Sequence, residues 1–126
     1  MSIPDDLKYT KEHEWVRVEG DIAVVGITDY AQGELGDIVF VELPQVGTAV
    51  KQMEAFGTIE AVKAVSEMFS PLTGTIAEIN QELEADSSVI NSDPYGAGWM
   101  IKIKGFPASE VDNLLDAATY GKLIEE

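Results

Sequence analysis

Cysteine is absent from the 126-residue chain, which removes a disulfide framework, a thiolate metal site and a cysteine nucleophile at once. Any sulfur chemistry has to be brought in by a cofactor. Histidine occurs once, at position 13. One imidazole without thiolates cannot build a conventional zinc site, and beside Trp15 at the start of a strand pattern His13 reads as a packed or hydrogen-bonded structural residue. Positive charge is scarce: eight Lys and Arg face 23 Asp and Glu, for a net charge of −15. That balance repels phosphate backbones and anionic membranes, so nucleic acid and membrane drop out as partners and proteins with basic faces are expected instead. No apolar run approaches the ~18 residues of a membrane span. Met1-Ser2-Ile3-Pro4-Asp5-Asp6 lacks the basic start and apolar segment of a secretory signal, and Arg17 alone is too little arginine for a transit peptide. The expectation is a bacterial cytoplasmic protein, although a mature chain stripped of a targeting segment shows the same pattern. A hydrolase is disfavoured as well, because no serine stands in a nucleophile-elbow sequence.

What the chain does contain is strand pattern. Its length suits one domain, 1–126, able to bury roughly two-thirds of its unfolded surface around a single core. Trp15–Val18, Ile22–Ile27, Ile38–Leu43, Phe56–Val62, Gly74–Ile79 and Trp99–Lys104 are rich in β-branched and aromatic residues, and several alternate at period two. Thr28 to Gly36 interrupts them with a capping residue, helix formers and a closing glycine, which predicts one or two helical turns. The strand-rich body ends near residue 106. A helical tail follows over about 107–126, where Ser109-Glu110-Val111-Asp112 has the form of a capping box and Val111, Leu114, Leu115 and Ala118 follow at helical spacing. Gly121 is expected to break that tail. A weak internal echo pairs Ile38–Leu43 and Phe56–Ile59 with Gly74–Ile79 and Trp99–Lys104, which places Lys63 at a protruding junction between similar halves.

Lys63 is the candidate for chemistry. It is the only basic residue between Lys51 and Lys102, inside Gly57-Thr58-Ile59-Glu60-Ala61-Val62-Lys63-Ala64-Val65-Ser66-Glu67. An exposed lysine in a hairpin ordinarily keeps a strand edge wet. Here small and β-branched neighbours frame it and a carboxylate stands three positions before it, a pattern that suits acylation of the amine to anchor a swinging arm. Val62-Lys63-Ala64 offers no glycine or asparagine for a tight mirror-image turn, so a wider type I connection is expected.

Five segments in order resemble the H protein family of the glycine cleavage system: Tyr9-Thr10-Lys11-Glu12-His13-Glu14-Trp15, Gly26–Gln32, Gly36–Pro44, Glu60-Ala61-Val62-Lys63-Ala64 and Asn91-Ser92-Asp93-Pro94-Tyr95-Gly96-Ala97-Gly98-Trp99. Ala61 departs from the serine usual at its position. The resemblance implies a mainly β fold, the barrel-sandwich hybrid of lipoyl and biotinyl carriers, with short helices and a helical C-terminal tail. It implies a non-catalytic, monomeric carrier with lipoate joined covalently to Lys63. Glycine decarboxylase would load an aminomethyl group on the arm, an aminomethyltransferase would remove its carbon, and dihydrolipoyl dehydrogenase would reoxidise the dithiol.

A lipoate-attaching enzyme would recognise Glu60 and Gly47, although a glycine after Pro44-Gln45-Val46 equally suits a plain turn. By the same resemblance Glu14 guards the loaded ammonium, helped by Glu12 and Glu67, with Ile27 and Leu35 as apolar wall; Glu34 adds to the anionic field or faces solvent. Other carriers fit less well. Biotinyl domains usually flank the lysine with methionines, where this chain has Val62 and Ala64, and lipoyl domains of 2-oxo acid dehydrogenases are shorter, with aspartate before the lysine.

Overall fold

The computed structural model describes residues 3–125. Among the described residues nine strands form two antiparallel sheets. In chain order they are β1 (Lys8–Tyr9), β2 (Glu14–Glu19), β3 (Ile22–Ile27), β4 (Ile38–Glu42), β5 (Ala49–Val50), β6 (Ala55–Ala61), β7 (Val65–Phe69), β8 (Gly74–Ile79) and β9 (Ile101–Lys104). The larger sheet runs β1-β2-β3-β9-β8-β5 and the smaller β4-β6-β7. The echoed pairs β4–β6 and β8–β9 are both antiparallel ladders, one in each sheet.

Side-chain alternation explains the layering. Val16, Val25, Ile59, Met68, Ile76, Ile101 and Ile103 meet in the main core between the sheets. Central β3 is buried on both faces, since Val24 joins Leu7, Tyr9, Trp15 and Tyr120 in a second cluster on the other side. This is why Ile22–Ile27 reads as a continuous apolar run. Truncating a fully buried ring such as Trp15 to alanine would cost about 3–5 kcal/mol by lost burial and cavity formation.

Five helices occur among the described residues: α1 (Asp29–Leu35), α2 (Glu82–Ala85), α3 (Val89–Ser92), α4 (Ala108–Asp112) and α5 (Ala117–Glu125). Helix α1 follows its sequence signals closely. The Thr28 hydroxyl accepts the Ala31 N–H at its start, and Gly36, at φ +79°, donates its N–H to the Gln32 carbonyl at its end.

The tail departs from expectation in two places. Ser109 lies inside α4, whose N-cap is Pro107, so the capping box does not form. Gly121 lies within an unbroken α5. The interruption falls earlier, where Leu115 exchanges two backbone hydrogen bonds of 2.8 Å with Tyr9 and extends the large sheet by an isolated bridge. That tertiary pairing, with the nearby burial of Tyr120 against Tyr9, overrides the local signals. The expected strand at Trp99 begins two residues later, at Ile101. No helix among the described residues is long and apolar enough to cross a membrane.

Candidate functional site

Lys63 sits at the tip of the β6–β7 hairpin. The Ala61 N–H donates to the Ala64 carbonyl at 2.8 Å and the Val62 N–H to the Asp37 carbonyl at 3.0 Å, so the tip is tied both across itself and to the start of β4. None of residues 62–64 has positive φ, which rules out the mirror-image turn. The side chain is exposed, and no ion pair to it occurs among the described residues. Its stem lies along the end of α1: a Cβ added to Gly36 would stand 3.3 Å from the Lys63 Cε. Gly36 therefore ends the helix and clears the lysine's path.

The outer face of the small sheet surrounds this lysine with apolar surface. Phe40, Glu60 and Val65 stand abreast in register, and Phe40, Val62 and Val65 are 53%, 75% and 69% exposed. Glu60 is thus an exposed carboxylate in an apolar row, three residues before the lysine.

A groove of about 260 Å³ opens between β7, α1 and the β1–β2 turn. Its lining includes Glu12, Glu14, Ile27, Leu35 and Glu67, the residues expected to receive an arm, together with Glu34. The sequence reading missed Tyr30, Ala31, Ile59, Ser66 and Met68, and it took His13, which also lines the groove, for a structural residue alone. Period-two alternation on β6 and the helical repeat of α1 would have placed Ile59 and Ala31 on that side, but β7 itself carried no usable strand signal. Gly47 lies elsewhere. It forms a turn past the far end of β4, with φ +93° and its N–H on the Ile76 carbonyl of the other sheet, whereas the β4 residue paired beside the hairpin tip is Ile38. A second hollow of about 400 Å³ beside Trp99 and Glu82 includes no residue of β6, β7 or α1.

Glu14 is the unusual member of the groove. Only 2% exposed, it accepts the Thr10 hydroxyl at 2.5 Å and the Phe69 N–H at 3.2 Å. Burial pushes its carboxyl up from 4.5 to about 8, against the opposing pull of those two hydrogen bonds. The Thr10 oxygen also accepts the N–H groups of Glu12 and Glu14, so its hydroxyl is committed to donating towards the carboxyl. With Glu12, Glu34 and Glu67 around it and no lysine or arginine among the described lining residues, Glu14 has only acidic charged neighbours in the groove.

Helix α1, one wall of this groove, is held by the late loop. The Asn91 side chain accepts the Ile38 N–H and donates to the Gly36 carbonyl and the Gln32 side chain, each at 2.9 Å. The Tyr95 hydroxyl accepts the Asp29 N–H at 3.0 Å, and the Trp15 indole donates to the Pro94 carbonyl at 2.9 Å. The segment around 91–99 therefore clamps both ends of α1.

A lysine displayed on a hairpin beside an acid-lined groove, on two packed antiparallel sheets, is the architecture of a prosthetic-group carrier. The comparisons sharpen the class. The family model described as glycine cleavage H-protein matches residues 7–126. The chain is 54% identical over 125 residues to a glycine cleavage system H protein of Symbiobacterium thermophilum, covering 99% of this chain and 98% of that one. It is 56% identical over 124 residues to that of Bacteroides thetaiotaomicron, covering 98% of each. The crystal structure of an H protein from Mycobacterium marinum superposes with a TM-score of 0.89 at 40% identity, covering 98% of this chain and all of that one. The chain belongs to the glycine cleavage H-protein family, the lipoyl carriers of that system.

Proposed function

We propose that Lys63 is the lipoyl attachment point and that the groove lined by Glu14 receives the loaded end of the arm. The observation that carries this reading is the convergence of Glu12, Glu14, Ile27, Leu35 and Glu67 on one groove, with the Lys63 stem lying against Gly36, next to Leu35. The residues fit the group: an exposed, unpaired amine to acylate, an apolar wall for a dithiolane chain, and a buried carboxyl for a cation. When attached, lipoate supplies a disulfide that accepts an aminomethyl group and can be reduced to a dithiol.

The protein's part is to bind, orient and exclude water. Ile27, Leu35, Ile59 and Met68 shield one side of the groove. Without a cation against it Glu14 is largely protonated at neutral pH, since burial disfavours its anion. A primary ammonium seated against it reverses that balance, so Glu14 releases its proton and the cation is held in a charge-assisted hydrogen bond. Keeping the amine protonated withholds the lone pair that would expel sulfur, which lengthens the life of the cargo.

The partners follow from the system: glycine decarboxylase, the aminomethyltransferase, dihydrolipoyl dehydrogenase and the lipoate-attaching enzyme. The apolar row with Glu60 at its centre offers them a surface of mixed apolar and acidic character around the arm's base, suited to basic, partly apolar faces. Gly47 joins Glu60 in recognition by the attaching enzyme through its exposed turn, apart from the hairpin. The test is Lys63→Arg in a reconstituted glycine cleavage assay. That change retains charge on an exposed tip, so stability should move by no more than about 0.5 kcal/mol, and activity should vanish. Retained activity would refute the assignment.

A further inference from the structure

His13 also lines the groove, whose role as an acid-lined receptacle does not use the imidazole. His13 has φ +73°, the left-handed backbone conformation that is uncommon outside glycine. The turn is closed by the His13 N–H on the Thr10 carbonyl and the Thr28 N–H on the His13 carbonyl. The imidazole lies 5.0 Å from the Tyr30 ring, and its Nδ1 is 2.9 Å from the Tyr120 hydroxyl, which α5 brings across the fold. That hydroxyl is in turn 2.7 Å from the Thr28 Oγ1.

Proton accounting gives this chain one direction. Thr28 and Tyr120 are both fully buried. The Thr28 oxygen already accepts the Ala31 N–H, and among the described residues the one acceptor hydrogen-bonded to its own proton is Tyr120. Were Tyr120 to donate to Thr28, the Thr28 proton would be left buried without a partner, at a cost that native interiors avoid. Thr28 therefore donates to Tyr120, Tyr120 donates to Nδ1, and the single proton of the neutral imidazole sits on Nε2. Burial supports the neutral form by lowering the imidazole pKa, although Glu12 and Glu34 oppose it. Nε2 has no hydrogen-bond partner among the described residues, while every buried polar side-chain atom among them has one, so Nε2 is solvent-accessible, on a ring that lines the groove.

We propose that His13 is a fixed N–H donor to sulfur at the end of the docked arm, and that Tyr120 of the C-terminal helix is the positioning residue that holds it in that state. This rests on the reading that the arm's end occupies the groove. The cargo end carries two kinds of polar atom, a protonated amine that only donates and sulfur that accepts. Glu14 matches the first and the His13 N–H the second, so the pair fixes which way round the end lies. Sulfur is a weak acceptor, and the contact therefore orients more than it tightens.

His13 is the chain's only histidine, so its ring nitrogens are read without ambiguity by two-bond ¹H–¹⁵N correlation on the lipoylated protein. The expected wild-type spectrum shows the Nε2–H tautomer, and loading with the aminomethyl group shifts Nε2 and its proton. Tyr120→Phe keeps the ring stack on Tyr9 and should turn the single tautomer into a mixture. A wild-type Nδ1–H tautomer overturns the proposal. So does an Nε2 that stays unmoved on loading while the Met68 and Ile59 methyl signals shift, because the arm is then docked without His13. If neither the methyls nor Nε2 respond, the docking reading fails and the proposal with it. The wild-type spectra decide the matter even where Tyr120→Phe does not fold.

Discussion

Replacing Glu14→Gln should change how stability depends on pH, and the sign follows from the groove. The Glu14 carboxyl is raised from 4.5 to about 8 by burial, so between those values the folded state binds more protons than the unfolded one. Stability contributed by the neutral carboxyl is fully present below about pH 4.5 and lost as pH rises through about 8. At 1.36 kcal/mol per unit, the loss is at most about 5 kcal/mol. Relaxation around the ionised carboxylate reduces this, and a swing of about 2 kcal/mol or more is expected. Glutamine removes the titration but cannot accept both existing donors, because its NH₂ faces either the Thr10 hydroxyl or the Phe69 N–H. That mismatch costs about 1–3 kcal/mol at every pH.

Urea unfolding of both proteins from pH 5 to pH 9 isolates the effect, since His13 and the surface carboxylates contribute equally to both and cancel in the difference. The Glu14→Gln protein should be the less stable at pH 5, and its deficit should shrink by about 2 kcal/mol or more, or reverse, by pH 9. A difference that is the same at all pH values would refute the buried, proton-binding carboxyl.

Two further outcomes are expected. With a net charge of −15, association rates with the loading and unloading enzymes should fall as ionic strength rises, and rates unaffected by salt would show that the charge serves solubility alone. Gly26→Ala places a Cβ 2.8 Å from the Trp15 indole, which is fully buried and bonded to Pro94, so the ring must shift at a cost of about 1–3 kcal/mol, seen as a lower urea midpoint; an unchanged midpoint would contradict the packing.

The long, alternating strands were legible because each carries its own pattern: Ile22–Ile27, Ile38–Glu42 and Gly74–Ile79 fall where β-branched residues cluster. Strand β7 was not, since Val65-Ser66-Glu67-Met68-Phe69 mixes polarity on an edge and follows no turn residue; its pairing with β6 makes it a strand. Two-residue β1 and β5 and four-residue α2 and α3 are too short for any period to show. In the site, Lys63 stood out by isolation in the charge pattern, and the groove acids came with the family resemblance. The Thr28–Tyr120–His13 chain spans 107 residues of sequence and exists only through packing of α5, so nothing local announced it. The same holds for Ser109 and Gly121, whose helix signals yielded to the Tyr9–Leu115 bridge and the burial of Tyr120.

The central claim is that Lys63 carries the arm, and intact mass followed by peptide mapping of protein purified from its native host tests it most directly. Lys63 is the only lysine between Lys51 and Lys102, so fragmentation of one peptide locates the modification. A lipoyl group on that peptide and on no other is the predicted result. A biotinyl group there, or lipoate on any other lysine, would contradict the account.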